Sequence, residues 1–470
     1  MRLNKIIISN FHCFQNETFE LAKNITVLIG KNGSGKSSFI KSIKNALSIF
    51  FSSNPSWGTP TIVGSVSDLS VANLDSREIW HNNEMKPAEF VDIKVVANKV
   101  NYNNNTTDVF PCWSFHKSSG ARAKLKSTYY KNAYLYFRKN YSDSDAWPLF
   151  AYYSDRYPHI DAKLSDSIKK MIDNDDILYR CWAYYHWDNE SSCALIWQKR
   201  YMRIYNLYFK RMQTFMRLEN KESDDAKQCE KDKDKYLKEI NYILKYLKDF
   251  TSNTNENLSD TSNLLQISDL YVDGIEIPYL VARFSDGTNI RWDELPAGYE
   301  RLFNIVFDIA YRSYILNNGE VEPQGVILID ELDLHLHPSM EQDVLLRLST
   351  TFKNIQFIVS THSPLVISNT SLGENGKILL FQHNQKGYNH TSISDQYGMD
   401  YDFILSAIMK TEPQNIKIQQ LKSKYLRLMR RAKKEVAQQT LLSIKTLVTD
   451  ERYEQIINEL TNALNNELAE

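Results

Sequence analysis

The chain has few of the features that mark secreted, membrane-spanning or metal-stapled proteins. Its 470 residues include five cysteines, which are scattered without the spacing of a zinc site: Cys13, Cys112, Cys181, Cys193 and Cys229. No apolar run reaches the ~18 residues that a transmembrane helix needs. The first residues lack a long apolar stretch followed by a small-residue cleavage site, so no secretory signal is visible. These absences predict reduced thiols, a cytoplasmic location and no membrane partner.

The chain also lacks an excess of charge of either sign. Its formal net charge is −1, so any surface that binds nucleic acid must be a local one. The hydrophobic share of 42% and the charged share of 24% are typical of globular proteins. A chain of this length can form two or three domains.

A glycine-rich stretch follows an apolar run near the amino terminus. The predicted strand at 25–29 leads into this stretch, and apolar residues at helical spacing follow over 39–47. A strand, a glycine loop and a helix in this order are the context of a phosphate-binding loop. The loop glycines let backbone N–H groups turn toward the phosphates, and the helix N-terminus adds a positive end. The predicted nucleotide-binding residues are Gly30, Lys31, Asn32, Gly33, Ser34, Gly35, Lys36, Ser37 and Ser38.

Two of these residues have more specific roles, and a second motif far along the chain completes the predicted site. Lys36 reaches the β- and γ-phosphates, and Ser37 holds Mg²⁺. Asp330 and Glu331 directly follow the apolar run 325–329. Asp330 suits Mg²⁺, directly or through water, and Glu331 suits the general base that orients the attacking water. The sequence therefore predicts binding of ATP with Mg²⁺, and ATP hydrolysis.

A histidine lies shortly after another apolar run, which follows the acidic pair in the sequence. Residues 355–359 are mostly apolar, and the polar residues Ser360 and Thr361 separate them from His362. An imidazole at the end of a strand beside the acidic pair can hydrogen-bond the γ-phosphate and report its loss. His362 is therefore predicted to be a second catalytic residue beside Glu331.

These motifs resemble those of ABC-type ATPases of the RecF, SMC and OLD-like group. Residues 329–338 resemble the Walker B and D-loop run of that group, and residues 360–364 resemble its switch-histidine motif. Residues 1–14 are similar to its opening strand and turn, which lie near the adenine, and residues 151–156 are similar to a run that closes the first lobe. The resemblance implies an α/β fold: an ABC-type P-loop ATPase head of two lobes, with an inserted helical domain and a helical carboxyl-terminal tail.

The signature motif departs from that pattern at one position. The family's Leu-Ser-x-Gly signature contacts the γ-phosphate across a dimer, and the matching stretch here is 295–301, with Pro296 in place of the serine. Proline fits a helix start, and Gly298 can still offer its backbone N–H to phosphate. The resemblance implies a homodimer, or an assembly of dimers, with nucleotide held between copies. The missing hydroxyl makes fast hydrolysis an open question.

The remaining segments define the predicted domain organisation: an amino-terminal ATPase lobe (1–156), a helical insertion (157–270), a carboxyl-terminal lobe (271–395) and a partner-binding tail (396–470). Within the insertion, helices are predicted over 201–218 and 236–250. The charged run 219–235 between them is predicted to be a solvated loop or a helix end, and 252–263 is predicted to be a linker. Its dense aromatic residues suit a core better than base stacking.

In the tail, residues 417–434 carry eight Lys or Arg and no Asp or Glu, which predicts a basic amphipathic helix. Two interpretations of that helix remain open. Its basic face binds nucleic-acid phosphates or an acidic partner, or it is an ordinary solvent-exposed face.

No HNH-type cluster is evident, and too little chain follows His362 for a Toprim domain, so the chain is predicted not to be a nuclease. Its length, its variant signature and its helical tail resemble the PtuA ATPases of Septu anti-phage systems, including those attached to retrons. That resemblance implies an ATPase that regulates a separate, PtuB-like HNH nuclease. Nucleic acid, as DNA or as a retron reverse transcriptase with its DNA product, is a possible further partner. Two alternatives remain open: a DNA-repair or recombination ATPase acting directly on DNA, and a scaffold with structural ATP.

Overall fold

The structure, a computed structural model, describes residues 1–47, 78–81, 84–97, 112–118, 146–157, 180–187, 193–252, 265–274, 276–384, 387–409, 416–431 and 433–469. These residues divide into two units, Met1–Gly398 and Met399–Glu470. Within the described ranges, no helix combines the length and the hydropathy that crossing a bilayer requires. The cysteines whose side chains are described are free thiols: Cys13, Cys112, Cys193 and Cys229.

The first unit is organised around a six-stranded sheet. Its strands, in spatial order, are β15 (Gly387–Ile393), β14 (Gly376–Asn384), β3 (Ile25–Gly30), β13 (Asn354–Ser360), β12 (Gln324–Ile329) and β8 (Leu149–Tyr153). All neighbours pair in parallel except β15, which returns antiparallel to β14 as a hairpin. Strands β3 and β8 are buried along their whole lengths, as expected of parallel strands covered on both faces.

The register of this sheet brings four strand ends to one edge. Ile329 of β12 pairs with Tyr153 of β8 on one side and with Val359 of β13 on the other. Ser360, the last residue of β13, pairs with Leu28 near the end of β3. Because these strands are parallel, the segments that follow them leave the sheet at the same edge.

A second, antiparallel sheet is formed by strands from the amino-terminal part of the chain. Its order is β2 (Phe14–Glu20), β1 (Leu3–Phe11), β6 (Phe90–Ala97) and β7 (Cys112–Ser118). Two smaller sheets are the hairpin of β4 (Glu78–His81) with β5 (Glu84–Pro87), and the group β9 (Ile267–Asp273), β10 (Tyr279–Phe284) and β11 (Asn289–Arg291).

Helix α1 (Lys36–Leu47) starts directly after the glycine loop. It buries Phe39, Ile40, Ile43 and Leu47, which lie on one face because they are three and four residues apart. The Phe39 ring lies 4.3 Å from Phe19 of β2 and 5.6 Å from Phe381 of β14. Helix α1 therefore packs on residues of both larger sheets.

The helices of the predicted insertion are longer than the sequence suggested. Helix α2 spans Ala194–Arg217 and helix α3 spans Asp224–Thr251. Of the two forms predicted for the charged run 219–235, most of the run is therefore a helix end, and only its first residues form a loop. Ser223 caps α3 by accepting a hydrogen bond from the Ala226 N–H, and Asp224 and Asp225 occupy its first turn, where the helix dipole favours acidic residues. The predicted linker lies almost wholly outside the described residues.

The aromatic residues of this region form core, as the sequence favoured. Five aromatic residues of this region are buried: Trp182, Tyr184, Trp187, Trp197 and Tyr201. Tyr185 is partly exposed, and Tyr179 lies outside the described residues. Trp197 of α2 stacks on Tyr311 at 5.7 Å, and Tyr201 packs on Phe307. Both partners belong to α4 (Ala297–Asn317), the most buried helix of the unit.

The remaining helices of the first unit are short and lie near the carboxyl ends of the central strands. Helix α5 spans Pro338–Thr351 and follows the acidic segment after β12, and helix α6 spans Pro364–Asn369 and follows β13. Each begins with proline at the first helical position, where the missing N–H costs nothing.

The second unit is helical. It contains the short segment α7 (Tyr401–Phe403) and helices α8 (Ile416–Arg430), α9 (Lys434–Lys445) and α10 (Asp450–Ala469). The predicted basic helix is present as α8. Its apolar face buries Ile418 and packs Leu421 and Tyr425 against a cluster of Ile444, Ile456 and Leu460 from α9 and α10. The apolar side of α8 is therefore used inside the unit, and Lys424 and Arg427 are exposed.

Candidate nucleotide-binding site

The glycine loop adopts a tight conformation between β3 and α1. The Ser34 N–H donates to the Lys31 carbonyl at 3.1 Å, and the Phe39 N–H donates to the Gly35 carbonyl at 2.9 Å. Gly35 has φ +106°, and a Cβ there would lie 2.9 Å from Cys13 Sγ and 3.0 Å from Phe14 Cζ. A side chain at this position would strain the backbone and clash with the β1–β2 turn, so the loop requires glycine here.

Lys36 folds back over the loop that precedes it. Its Nζ donates to the carbonyl oxygens of Gly30 at 2.8 Å and Lys31 at 3.3 Å, and the side chain is buried. Burial lowers the pKa of Lys36, whereas the carboxylates of Asp330, Glu331 and Asp333 raise it. The ammonium group is thus held at the loop, in the electrostatic field of the acidic pair.

Asp330 and Glu331 are held by residues of the two strands that flank β12, namely β8 and β13. The Asp330 N–H donates to the Tyr153 carbonyl at 2.8 Å. Ser360 Oγ donates to Asp330 Oδ1 at 2.5 Å and accepts the Glu331 N–H at 2.8 Å. Glu331 has φ +53°, a left-handed conformation that is rare for residues other than glycine and that costs on the order of 1–3 kcal/mol. Ser360 therefore fixes both acidic residues through one hydroxyl.

The environment of Glu331 favours its protonated form. Burial raises the pKa of Glu331, and the nearby carboxylates of Asp330, Asp155 and Asp333 raise it further, against the lowering effect of Lys36. A carboxylate with a raised pKa accepts a proton more readily, which suits a general base.

Arg301 connects the start of α4 to the acidic turn, and the sequence analysis did not identify it. The side chain is fully buried, and its Nη2 donates to the carbonyl oxygens of Asp330 at 3.0 Å and Glu331 at 3.1 Å. Its Nη1 donates to the carbonyls of the segment after β8, with the shortest bond, 2.7 Å, to Tyr157. Arg301 is a positioning residue. The available signal was an arginine within a mostly apolar helix.

His362 follows β13 and is held through its backbone. Its N–H donates to both carboxylate oxygens of Asp333, at 3.2 and 3.4 Å. Burial lowers the pKa of His362, and the Lys36 cation lowers it further, whereas Asp333 and Asp330 raise it. Burial and the Lys36 cation thus favour the neutral imidazole, which has one donor and one acceptor nitrogen.

The loop, the acidic pair and the histidine line a single cavity of about 800 Å³. This volume lies within the range of small-molecule sites. Of the predicted residues, the cavity brings together Asn32, Gly33, Ser34, Gly35, Lys36, Ser37, Ser38, Asp330, Glu331 and His362. Gly30 and Lys31 are connected to it through their carbonyl bonds with Lys36. His12 and Cys13 of the β1–β2 turn also line it, as do three residues that the sequence analysis missed: His383, Gly387 and Tyr388.

Gly298 lies elsewhere on the same chain. It is buried in the first turn of α4, and a Cβ at this position would lie 2.8 Å from the His335 carbonyl oxygen. Pro296 is the N-cap of α4 and makes no side-chain capping bond. Gly298 does not line the cavity that contains its own chain's Lys36.

The residues predicted to hold Mg²⁺ fit a hard divalent cation, which prefers oxygen ligands. Ser37 is exposed to the cavity, and Asp330 Oδ1 accepts from Ser360 while no donor among the described residues engages Oδ2. Ser37 and Asp330 would hold the ion, which would supply positive charge beside the terminal phosphates.

A glycine loop on a parallel sheet, with an acidic pair and a histidine at the same edge, defines a P-loop nucleotide-binding protein of the α/β class. The chain belongs to the AAA ATPase domain family, whose model matches residues 1–367. The predicted α/β fold class, with an ATPase domain and a helical carboxyl-terminal unit, is confirmed.

The chain is similar in sequence to retron ATPases and to Septu proteins. The chain is 28% identical to the Retron Vc95 probable ATPase of Vibrio cholerae serotype O1 biovar El Tor over 406 residues, which cover 81% of this chain and 73% of that protein. It is 37% identical to the Retron Ec83 probable ATPase of Escherichia coli over 153 residues, 32% of this chain and 28% of that protein. It is 29% identical to the Septu protein PtuA of Bacillus mycoides over 119 residues, 25% of this chain and 16% of that one. The predicted kinship with retron and Septu ATPases is confirmed.

Among solved structures, the SMC head domain from Thermotoga maritima aligns over 84% of this chain and 100% of that chain, with 12% identity and a TM-score of 0.39.

Proposed function

We propose that the chain binds ATP with Mg²⁺ and hydrolyses it, with Glu331 as the general base and His362 as the residue that contacts the γ-phosphate. The observation that carries this proposal is the single cavity lined by Lys36, Ser37, Asp330, Glu331 and His362. Lys36 binds the β- and γ-phosphates, and Glu331 orients the attacking water and accepts its proton. His362 donates a hydrogen bond to a γ-phosphate oxygen.

The test of this proposal separates binding from turnover. Lys36→Ala is expected to abolish ATP binding measured by titration calorimetry, because the buried ammonium group is lost. Glu331→Gln is expected to keep ATP binding and to lower phosphate release by about 10²–10⁴-fold, the usual contribution of a general base. Lys41→Ala, which changes an exposed lysine of the same helix, is the matched control. Normal ATP binding by Lys36→Ala would refute the proposal.

Nucleotide is proposed to join two copies of the chain head to tail. Gly298 does not line its own chain's cavity, so its backbone can reach a γ-phosphate only on another copy. Mass measurement of Glu331→Gln with and without ATP tests this point, and a monomer under both conditions contradicts it.

We further propose that the ATPase is the regulatory subunit of an anti-phage defence complex that controls a separate HNH nuclease. The support is the retron and Septu names of the relatives. The tail unit, with its exposed basic residues on α8, is the proposed partner-binding element, and nucleic acid is a further candidate ligand for it.

Co-expression with an HNH nuclease gene, if one adjoins this gene, tests the defence role. Co-purification of the two proteins, and loss of phage protection with Glu331→Gln, are the expected results. Hydrolysis by the purified chain alone that DNA strongly stimulates would instead favour a repair or recombination ATPase.

A second candidate is a scaffold in which ATP is structural and turnover is negligible. Pro296 favours it, because proline stands where the family's signature has a serine and leaves the start of α4 without a side-chain cap. In that case Glu331→Gln leaves phage protection intact, whereas Lys36→Ala abolishes assembly. The two candidates therefore differ in the phenotype of one substitution.

A further inference from the structure

The lining of the nucleotide cavity consists of two chemically different groups of residues. The glycine loop, Lys36, Asp330, Glu331 and His362 supply backbone N–H groups, charge and metal ligands, which suit the phosphates. The lining that remains belongs to two turns: His12 and Cys13 between β1 and β2, and His383, Gly387 and Tyr388 on the β14–β15 hairpin. If the proposed function is right, this second group is left to bind the base and the ribose.

The hairpin presents a pair of stacked rings to the cavity. His383 and Tyr388 are directly opposite each other in the antiparallel register of β14 and β15. Their ring centroids are 4.2 Å apart and their planes meet at 19°. Two rings in this arrangement form a flat, preordered surface, which a planar base can extend by one more layer.

The position of this ring pair is fixed relative to the glycine loop. β14 pairs in parallel with β3, and Phe381, two residues before His383, is aligned with Gly30 at the start of the loop. Phe381 also packs against Phe19, with ring centroids 5.6 Å apart. On the following strand, His390 stacks on Phe19 at 4.1 Å, which anchors β15 as well.

The turn between β1 and β2 is less suited to stacking. The His12 ring already packs on Phe11 at 4.3 Å, and its Nδ1 lies 3.4 Å from Ser38 Oγ. Among the described residues, His383 and Tyr388 have no recorded ring partner other than each other.

We infer that His383 and Tyr388 form the base-binding face of the site, on which the aromatic base of the nucleoside triphosphate stacks. This inference rests on the proposed function and adds the β14–β15 hairpin to the base region, for which the sequence resemblance had implied only the opening turn within residues 1–14. Stacking on aromatic side chains is tolerant of base identity, so the pair contributes affinity for any nucleoside triphosphate rather than a choice among bases.

The experiment compares ATP with inorganic tripolyphosphate, each with Mg²⁺, by titration calorimetry. Tyr388→Ala and His383→Ala are each expected to weaken ATP binding by about tenfold, the size of one base-stacking contact, and to leave tripolyphosphate binding unchanged. Tyr388→Phe keeps the ring and is expected to bind ATP as the unchanged chain does. The fluorescence of 2-aminopurine riboside triphosphate, which stacking quenches, is expected to be quenched by the Phe variant and not by the Ala variants.

Two results would overturn the inference: unchanged ATP affinity and unchanged quenching in both Ala variants, or an equal loss of tripolyphosphate binding, which would mean that the hairpin only supports the loop. Failure of the proposed function is distinguishable, because the unchanged chain would then bind neither ATP nor tripolyphosphate. If one Ala variant does not fold, the other carries the same test.

Discussion

Arg301 donates a hydrogen bond to the carbonyl oxygen of Asp330 at 3.0 Å, so helix α4, which begins within the signature-like segment 295–301, is joined directly to the acidic pair. The same guanidinium group bonds the Glu331 carbonyl and those of the segment after β8. A movement of the start of α4 would therefore change the position of Glu331. This connection is a physical route by which a second copy bound at the signature-like segment could alter hydrolysis.

Arg301→Met is expected to destabilise the chain by on the order of 3 kcal/mol and to lower hydrolysis more than ATP binding. The substitution leaves several buried carbonyl groups without a donor, and each such group costs about 1–3 kcal/mol before relaxation. Chemical denaturation gives the free energy of unfolding, and phosphate release gives the rate. The control is Arg291→Met, since Arg291 is an exposed residue that pairs with Asp293. Equal effects of the two substitutions would show that the Arg301 contacts are not important.

Ser360→Ala is expected to lower the rate of hydrolysis by about tenfold with little change in ATP affinity. The hydroxyl joins Asp330 Oδ1 and the Glu331 N–H, and its loss frees the left-handed turn that aims the Glu331 carboxylate. A misplacement of one ångström at a catalytic group can cost as much as a hundredfold. Steady-state kinetics separate kcat from KM. Ser349→Ala removes a hydroxyl that bonds only within its own helix, and its kinetics should match those of the unchanged chain.

The pKa of His362 should respond in opposite directions to two substitutions in the nucleotide-free protein. Lys36→Ala is expected to raise it, because the Lys36 cation lowers it, and Asp333→Asn is expected to lower it, because the carboxylate raises it. Imidazole resonances followed by NMR against pH measure both shifts, with a His362→Gln variant for assignment. Movement of both values in the same direction would contradict the charge arrangement described above.

The same shift has a consequence for stability. The folded-state pKa of His362 lies below the ordinary value of 6.5, so the folded chain binds fewer protons than the unfolded chain near that pH. The contribution of His362 to stability is therefore present above pH 6.5 and is lost as the pH falls through the folded-state pKa. His362→Gln should reduce the loss of unfolding free energy on acidification over that range.

Much of the phosphate end of the site could be predicted because its signals are local. The strand before Gly30 and the strand before Asp330 are short apolar runs, and a parallel sheet brings the ends of such runs together whatever lies between them. The proximity of Asp330 and Lys36 could therefore be predicted without knowing the structure of the chain between them. The prediction of helix α8 succeeded for the same reason, since its pattern lies within 15 residues.

The residues that were missed depend on pairing between distant segments. Tyr388 reaches the cavity only because β14 aligns Phe381 with Gly30, a register that the sequence does not display. Arg301 is important because the carbonyl groups of two separate segments, the one after β8 and the one after β12, meet at its guanidinium group. The charged run 219–235 was left open between a loop and a helix end, although Ser223 and the acidic residues after it are a helix-start pattern that places the start of α3.

Asp308→Asn is expected to destabilise the chain by about 3–5 kcal/mol. The buried carboxylate accepts from Tyr153, from Trp197 Nε1 at 2.5 Å and from Arg312 Nε at 2.7 Å, so the substitution leaves Arg312 as a buried, uncompensated charge. Thermal and chemical denaturation measure the loss. Glu320→Gln, which changes an exposed ion pair with Lys238, should cost less than about 1 kcal/mol. A loss below that limit for Asp308→Asn would mean that the network is not stabilised by its charge.

Pro296→Ser restores the hydroxyl at the helix start and is expected to raise the rate of hydrolysis at saturating ATP. Serine is a strong N-cap, so the substitution should also stabilise α4 by roughly 0.5–2 kcal/mol, because Pro296 makes no side-chain capping bond. If the signature-like segment acts on the nucleotide of a second copy, the gain in rate should appear only at chain concentrations that support dimers. Pro296→Ala removes the proline without adding a hydroxyl and is the control. A gain that is equal for Ser and Ala, or independent of concentration, would assign the effect to the helix start rather than to a contact across a dimer.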